Sequence, residues 1–320
     1  MDNAVRFLQT QDDFTLIAHI SPDGDTLGSS LALFHALLRM GKRAQVVCAD
    51  EVPAAYRFCP HADEVQKPDL ARQTGAVVTV DCADKRRLGA CAALFDGAAH
   101  TLNIDHHGTN DAFAEVNWVE PVGATGELVY RLLSRLPVEI DVEAASLLYV
   151  ALTTDTGNFS YSNASPQTFR IAAELLERGI DLPELNRRLF RTVPYRKRLL
   201  EARTVARCAL HAGGRIAVST LSLEDFAACG ATGADAEGLI DLLRDIDTVE
   251  IAALLREQKS GTVQVSLRGK RVANVSRIAS RFGGGGHWFA AGCVLPGSLE
   301  AAAAAVLAAA REALPAEEAR

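Results

Sequence analysis

The sequence predicts an α/β fold: a mainly parallel, doubly wound sheet in the first part of the chain, joined by a helical connector to a smaller α/β domain. Three observations carry that expectation. Short β-branched runs alternate with amphipathic stretches of helical period through the first half, as in a parallel sheet covered on both faces. Reactive side chains recur where the expected strands end. At 320 residues and 34.2 kDa the chain exceeds what one hydrophobic core usually organises, which favours two domains.

The elements follow in order. Residues 14–20 form an apolar, β-branched and aromatic run that breaks at Ser21-Pro22-Asp23-Gly24-Asp25. Leu27, Leu31, Phe34, Leu37 and Leu38 come next at helical spacing, and Gly41 stops them. Residues 44–48, 76–80 and 101–104 read as three further strands, with a helix around 86–95 between the last two. Helical patterns then dominate at 126–136, 142–152 and 166–178. Residues 194–211 read as one helix among many Arg and Lys, closed by Gly213-Gly214. This segment is expected to be a connector (193–213) rather than core, between a first domain at 1–192 and a second at 214–320. The second domain predicts a strand at 216–221, a helix at 236–245, strands at 249–256 and 262–268, a helix at 275–282, a glycine run and a last helix at 299–314.

Composition narrows the function. Hydrophobic residues at 48% and charged residues at 23% are ordinary for a globular chain and exclude disorder or fibre. No run approaches the roughly 20 apolar residues of a membrane span. The first residues carry Asp2, Arg6, Asp12 and Asp13 without an apolar signal core. Seven cysteines without a C-x-x-C pair suit reduced thiols in a cytoplasm better than a disulfide scaffold or a zinc site. A formal charge of −7 excludes a protein that coats long nucleic acids, while leaving room for a small anion held by a local positive patch.

Acidic and imidazole side chains mark the expected strand ends. The first strand runs into His19, Asp23 and Asp25, the strand at 76–80 into Asp81, and that at 101–104 into Asp105-His106-His107. The helix at 142–152 runs into Asp155. In an open α/β sheet the carboxyl ends of strands line the ligand crevice, so distant residues converge there. One such motif alone would read as a turn or a helix cap; four together point to a site. Four clustered carboxylates repel unless cations sit among them. Two divalent ions would balance the charges of Asp23, Asp25, Asp81 and Asp155. Carboxylates with imidazoles suit manganese, or cobalt or iron, and the lack of thiolates argues against structural zinc. Two such ions polarise a phosphoryl group for in-line attack. His35, His61 and His100 lack suitably placed acidic neighbours and read as core histidines.

His19-Ile20-Ser21-Pro22-Asp23-Gly24-Asp25, Asp81, Asp105-His106-His107 and Asp155, in that order, resemble the DHH phosphoesterase superfamily. The resemblance implies hydrolysis of phosphoester or phosphoanhydride bonds with two metals, usually Mn2+. It implies His19, Asp23 and Asp81 on one ion and Asp25, Asp81, His106 and Asp155 on the other, with Asp81 bridging. His107 would face the substrate phosphate, and Asp105 would orient a neighbouring imidazole.

Near the carboxyl end stands Arg281-Phe282-Gly283-Gly284-Gly285-Gly286-His287. Consecutive glycines let backbone amides form a concave nest for an anion. Residues 258–298 contain no Asp or Glu but do contain Lys259, Arg268, Lys270, Arg271, Arg277 and Arg281, which marks an anion-binding surface. Lys270 and Arg271 read as a solvated rim. Trp288 and Phe289 read as packing beneath the loop rather than stacking on a base. The segment is similar to the family's associated substrate domain, which implies that Gly284, Gly285, Gly286, His287 and Arg268 bind a substrate phosphate. Within that family the compact form with this glycine–histidine segment resembles members that act on short nucleic acids, and the resemblance implies hydrolysis of short RNA or DNA oligonucleotides to mononucleotides and of 3′-phosphoadenosine 5′-phosphate (pAp) to AMP. A soluble cyclic or linear dinucleotide (pApA) phosphodiesterase and a nucleotide-binding regulator without turnover are the alternatives. The helical middle is compatible with a homodimer.

Overall fold

A computed structural model describes residues 1–314 and divides the chain into two units, the first Met1–Thr192 and the second beginning at Val193. The first unit runs α1 (Asp2–Thr10), β1 (Asp13–Ala18), α2 (Gly24–Arg39), β2 (Arg43–Cys48), β3 (Val65–Gln66), β4 (Ala76–Val80), α3 (Ala92–Asp96), β5 (His100–Asp105), β6 (Val116–Val119), α4 (Thr125–Leu133), α5 (Val142–Asp155), α6 (Pro166–Glu177) and α7 (Leu182–Asn186). Its strands form one parallel six-stranded sheet in the order β3-β2-β1-β4-β5-β6. Successive side chains of a strand point to opposite faces. Leu16 and Ala18 of β1 join the large core with α2, α4 and α5, while Ile17 joins Val47, Val77, Leu88, Cys91 and Leu94 on the other side. Both faces are therefore covered, as the alternation of elements predicts.

The centre of this unit is α2. Asp23 caps it, accepting from the amides of Asp25 and Thr26 at 3.1 Å each, and residues 24–37 are all buried. A helix buried on all sides needs partners that come close, and two glycines allow it. A Cβ on Gly28 would lie 2.5 Å from the Leu147 carbonyl oxygen of α5, and one on Gly24 would lie 2.4 Å from Thr154 Oγ1. Gly24 and Gly28 share one helix face, four residues apart. That face seats α5 against α2 and brings the carboxyl end of α5 beside the amino end of α2.

The structure departs from the sequence expectation at several elements. The helix expected around 86–95 is a 3₁₀ segment, Lys85–Cys91, followed by the short α3, because Gly89 turns the backbone left-handed at φ 56°. Helix α1 and the short edge strands β3 and β6 are additional. Asp155 ends the helix α5, as expected.

In the second unit, α8 (Tyr195–Ala206), β7 (Ala209–His211), β8 (Ile216–Leu221), α9 (Leu223–Cys229), α10 (Leu239–Arg244), β9 (Ile251–Glu257), β10 (Thr262–Gly269), α11 (Val275–Ser280), β11 (Gly285–His287), β12 (Ala290–Pro296) and α12 (Leu299–Ala313) build a mixed sheet in the order β11-β12-β10-β9-β8-β7. Only β8 and β9 pair in parallel within it. Ile251, Ala253 and Leu255 pack with α11 and α12, and Ala252 and Leu254 face Leu200, Leu239 and Leu243 of α8 and α10. The segment expected as one connecting helix is thus neither one helix nor outside the core. Leu200 is fully buried, and the helix stops at Ala206 because 209–211 pair with β8 through a left-handed turn at Ala212, Gly213 and Gly214. Among the described residues no helix is long and apolar enough to cross a membrane.

The close approach of α2 and α5 sets two effects against each other. In a helix interior Gly→Ala usually gains up to about 1 kcal/mol, but overpacking costs about 1–3 kcal/mol. The backbone carbonyl 2.5 Å from the added methyl cannot swing aside. Gly28→Ala is expected to lower unfolding free energy in urea by about 1–2 kcal/mol; an increase would mean that the helices separate freely.

Candidate metal centre

The strand order reverses direction between β1 and β4, and at that point the carboxyl ends of neighbouring strands leave a crevice. His19 follows β1 directly, Asp81 follows β4, and Asp105 ends β5. The capping turn of α2 supplies Asp23 and Asp25, and the last residue of α5 supplies Asp155. Asp81 holds a left-handed backbone, φ 60°, in which its amide donates to the Ile104 carbonyl at 2.9 Å.

Around Asp81 the side chains form two groups. His19 Nε2 lies 3.4 Å from Asp81 Oδ2 and 3.7 Å from Asp23 Oδ2. His106 Nε2 lies 3.5 Å from Asp81 Oδ1, 3.7 Å from Asp155 Oδ2 and 4.0 Å from Asp25 Oδ2. The two oxygens of Asp81 therefore face two different imidazoles. Ligands about 2.0–2.2 Å from one ion stand about 3–3.6 Å from each other at octahedral to tetrahedral angles, close to these separations. The donor chemistry fits as well. His106 Nδ1 lies 3.0 Å from the Val122 carbonyl, which takes the ring proton and leaves the Nε2 lone pair toward the carboxylates. Among the described residues, His19, Asp23 and Asp81 form one set able to hold a metal ion, and Asp25, His106 and Asp155 another.

Further contacts hold these groups in place. Asp25, almost fully buried, accepts from the amides of Thr125 (2.6 Å) and Gly126 (3.0 Å) at the start of α4 and from Ser29 Oγ (2.9 Å). Thr125 Oγ1 donates to Asp81 Oδ1 at 2.9 Å, and Asn163 Nδ2 donates to Asp155 Oδ2 at 3.3 Å. His107 Nδ1 donates to the buried Asp105 at 2.7 Å, and Asn110 donates to the other Asp105 oxygen at 2.6 Å. His107 is 42% exposed at its side chain, against 3% for Asp81, so it stands at the open side of the site. Arg87 places a guanidinium nitrogen 2.7 Å from His19 Nδ1, a position the Ile20 carbonyl also contests at 2.8 Å. Of these partners, sequence reading missed Ser29, Arg87, Asn110, Thr125, Gly126 and Asn163. Ser29, one helical turn after Asp25, and Thr125-Gly126 at a helix start were the available signals.

The electrostatics are those of a site that needs cations. Burial, together with the charges of Asp81, Asp155 and Asp23, pushes the Asp25 carboxyl well above the usual range. Burial also raises Asp155, to about 6, against the pull of His106. Burial alone would lower His19, but Asp23 and Asp81 reverse it and raise the imidazole to about 9. Without metal the site therefore holds protons where cations fit.

In the second unit the glycine run turns at Gly283 and enters an edge strand, β11, at Gly285. A Cβ on Gly284 would come within 2.2 Å of the Gly292 carbonyl, and one on Gly286 within 2.4 Å of the Ala290 carbonyl, so glycine is required by the approach of β12. His287 and Arg268 are both in register with Ala290, from opposite sides of β12, so the two side chains project on one face. Arg268 Nε lies 3.5 Å from Asp241 of α10. Trp288 and Phe289, expected beneath a loop, form the two-residue tip of the β11–β12 hairpin and are 54% and 45% exposed. The basic rim is partly neutralised from outside the segment: Arg271 pairs with Glu250 and Arg281 with Glu312, and Lys270 donates to the Ile246 carbonyl.

A parallel sheet with this order, and a carboxylate facing two imidazoles at its switch point, is an arrangement able to hold divalent ions, and the chain belongs to the DHH family of metal-dependent phosphoesterases. The DHH family N-terminal domain matches residues 13–152 and the DHHA1 domain matches 213–315. Within that family the chain is 37% identical to the bifunctional oligoribonuclease and PAP phosphatase NrnA of Thermus thermophilus, over 93% of this chain and 89% of the relative. It is 25% identical to the protein of the same name from Bacillus subtilis, over 90% and 91% of the two chains. The solved structure of an exopolyphosphatase-related protein from Bacteroides fragilis superposes with a TM-score of 0.91 and 25% identity, covering 97% of this chain and 95% of that one.

Two measurements probe this centre. Thr125→Val removes the donor to Asp81 while keeping shape, and loss of such an outer hydrogen bond typically weakens metal affinity about 10–100-fold; calorimetric titration with Mn2+ reads it, and unchanged affinity would remove Thr125 from the site. Because the Asp155 carboxyl binds its proton up to about pH 6, metal must displace that proton below this pH. Affinity is expected to fall roughly tenfold per pH unit there for each displaced proton, and to level off only above about pH 9, where the His19 imidazole has lost its proton as well.

Proposed function

We propose that the protein is a two-metal phosphoesterase that hydrolyses short oligoribonucleotides to mononucleotides and pAp to AMP, with Mn2+ as its preferred ion, in the cytoplasm. The observation that carries this reading is the Asp81 carboxylate, one oxygen toward His19 and the other toward His106. His19, Asp23 and Asp81 hold one ion; Asp25, Asp81, His106 and Asp155 hold the other. When bound, the ions supply Lewis-acid charge to a phosphoryl group and lower the pKa of attacking water. The relatives named oligoribonuclease and PAP phosphatase, similar over nearly the whole chain, support the substrate class.

The chain's own residues divide the remaining work. His107, held through Nδ1 by Asp105, keeps its other nitrogen free at the open side and donates to a phosphoryl oxygen as charge develops there. His19 would offer Nε2 to an ion with its ring proton on Nδ1, facing the Ile20 carbonyl, and the Arg87 guanidinium beside that nitrogen would be a donor for a substrate phosphate. On the second unit, His287 and Arg268 share one face and bind a substrate phosphate together with Gly285 and Gly286, while the Gly284 amide donates to the Ala279 carbonyl at 3.0 Å. Trp288, exposed at the hairpin tip, offers a base a stacking surface. All seven cysteines are free, in keeping with a reducing compartment.

The test is a substrate series with Mn2+, from pAp through dinucleotides to longer oligomers, run on the wild type and on His287→Ala. The wild type should release mononucleotides from short oligomers and AMP from pAp. The variant, lacking a charge-assisted phosphate contact, should lose about tenfold or more in kcat/KM with its metal content intact. Hydrolysis confined to dinucleotides would favour the pApA phosphodiesterase, and nucleotide binding without turnover would defeat the enzyme reading.

A further inference from the structure

We propose that His35, His61 and Glu143 bind a divalent transition-metal ion of the zinc class, separate from the phosphoester site. His35 lies ten residues along α2 from Asp25, about 15 Å of helix rise. His61 precedes a 3₁₀ turn (Ala62–Glu64), and Glu143 sits in the first turn of α5. Three ligand atoms converge: His35 Nδ1 and His61 Nε2 stand 2.9 Å apart, and Glu143 Oε2 lies 3.5 Å from the first and 3.8 Å from the second.

The outer ring nitrogens decide what these inner atoms present. His35 Nε2 lies 2.9 Å from Asp141 Oδ2, an oxygen that also accepts from Arg39 at 2.7 Å, while Asp141 Oδ1 accepts the Ala144 amide at 3.1 Å. Committed as an acceptor throughout, Asp141 requires the proton on His35 Nε2. His61 Nδ1 lies 2.6 Å from Glu64 Oε1, and a carboxylate again takes the ring proton. Both inner nitrogens are then lone pairs, facing each other at hydrogen-bond distance with a carboxylate oxygen beside them. Such an arrangement is satisfied by a positive charge at its centre, either a proton on one ring or a metal ion held by all three atoms. Imidazoles whose far N–H is held by a carboxylate are the usual form of a zinc-binding histidine, and two imidazoles with one carboxylate leave a fourth position open. The acidic neighbours that these histidines lack in sequence thus arrive through the packing of α2 on α5.

An ion here would tie α2 to α5, the helices that carry Asp25 and Asp155. The experiment counts zinc by mass spectrometry on the full chain, stripped with chelator, dialysed against Zn2+ and then against buffer, with Asp81→Ala as the parent so that ions of the phosphoester site contribute least. Adding His61→Ala should remove one zinc per chain from the parent's count. Equal counts in the two proteins would overturn the proposal. Should the His61 variant fail to fold, Glu143→Gln, whose side chain is 53% exposed, gives the same comparison. Anomalous density between His35 Nδ1 and His61 Nε2 at the zinc edge of a soaked wild-type crystal is expected too, and its absence at full occupancy elsewhere would equally overturn the proposal.

Discussion

Mutual repulsion among Asp23, Asp25, Asp81 and Asp155 is the constraint around which the first unit is organised. Four carboxylates at the end of a parallel sheet, two of them almost fully buried, are not a stable arrangement by themselves. The chain moderates the repulsion with donors rather than with buried lysines. The amino ends of α2 and α4 point amides at Asp23 and Asp25, and hydroxyls of Ser29 and Thr125 reach Asp25 and Asp81. These donors fix the direction of the carboxylates, and two of them, both from Thr125, reach the oxygens of Asp81 and Asp25 that face His106. What remains is a demand for positive charge at two neighbouring points.

Holding that geometry is a packing problem before it is a chemical one. Asp25 and Asp155 sit on helices that meet through Gly24 and Gly28, where a single methyl group would strike backbone or side chain. The absence of side chains on one face of α2 is thus as necessary to the site as the carboxylates themselves. The second unit uses the same device for another purpose. Gly284 and Gly286 let an edge strand lie close on β12, which puts His287 in register with Arg268.

Much of this was legible in the sequence because it was local. The β-branched runs gave β1, β2, β4 and β5, and the residues that follow them in sequence are the ones that follow them in space. The parts that were not legible depend on contacts between distant residues. Strands β3 and β11 are too short for a periodic signal and exist only as partners of β2 and β12. The helix read across 194–211 looks continuous in sequence, since nothing local reveals that 209–211 pair with β8. Trp288 and Phe289 look like core by residue type, yet a two-residue hairpin tip has no core to enter. His35 and His61 seemed to lack acids because their partners are more than eighty residues away at Asp141 and Glu143, apart from Glu64, whose nearness in sequence carried no meaning without the turn.

The backbone of Asp81 has a further consequence. Its left-handed conformation is one that Asp and Asn visit more readily than most residues, because their short polar side chains engage the local backbone. The position therefore filters replacements twice, once by the carboxylate that must reach both imidazoles and once by the torsion the main chain must accept. Glutamate keeps the charge but adds a methylene and loses that conformational tolerance; asparagine keeps the tolerance but loses the charge. Neither replacement meets both requirements, so charge and backbone torsion together bind this position to aspartate.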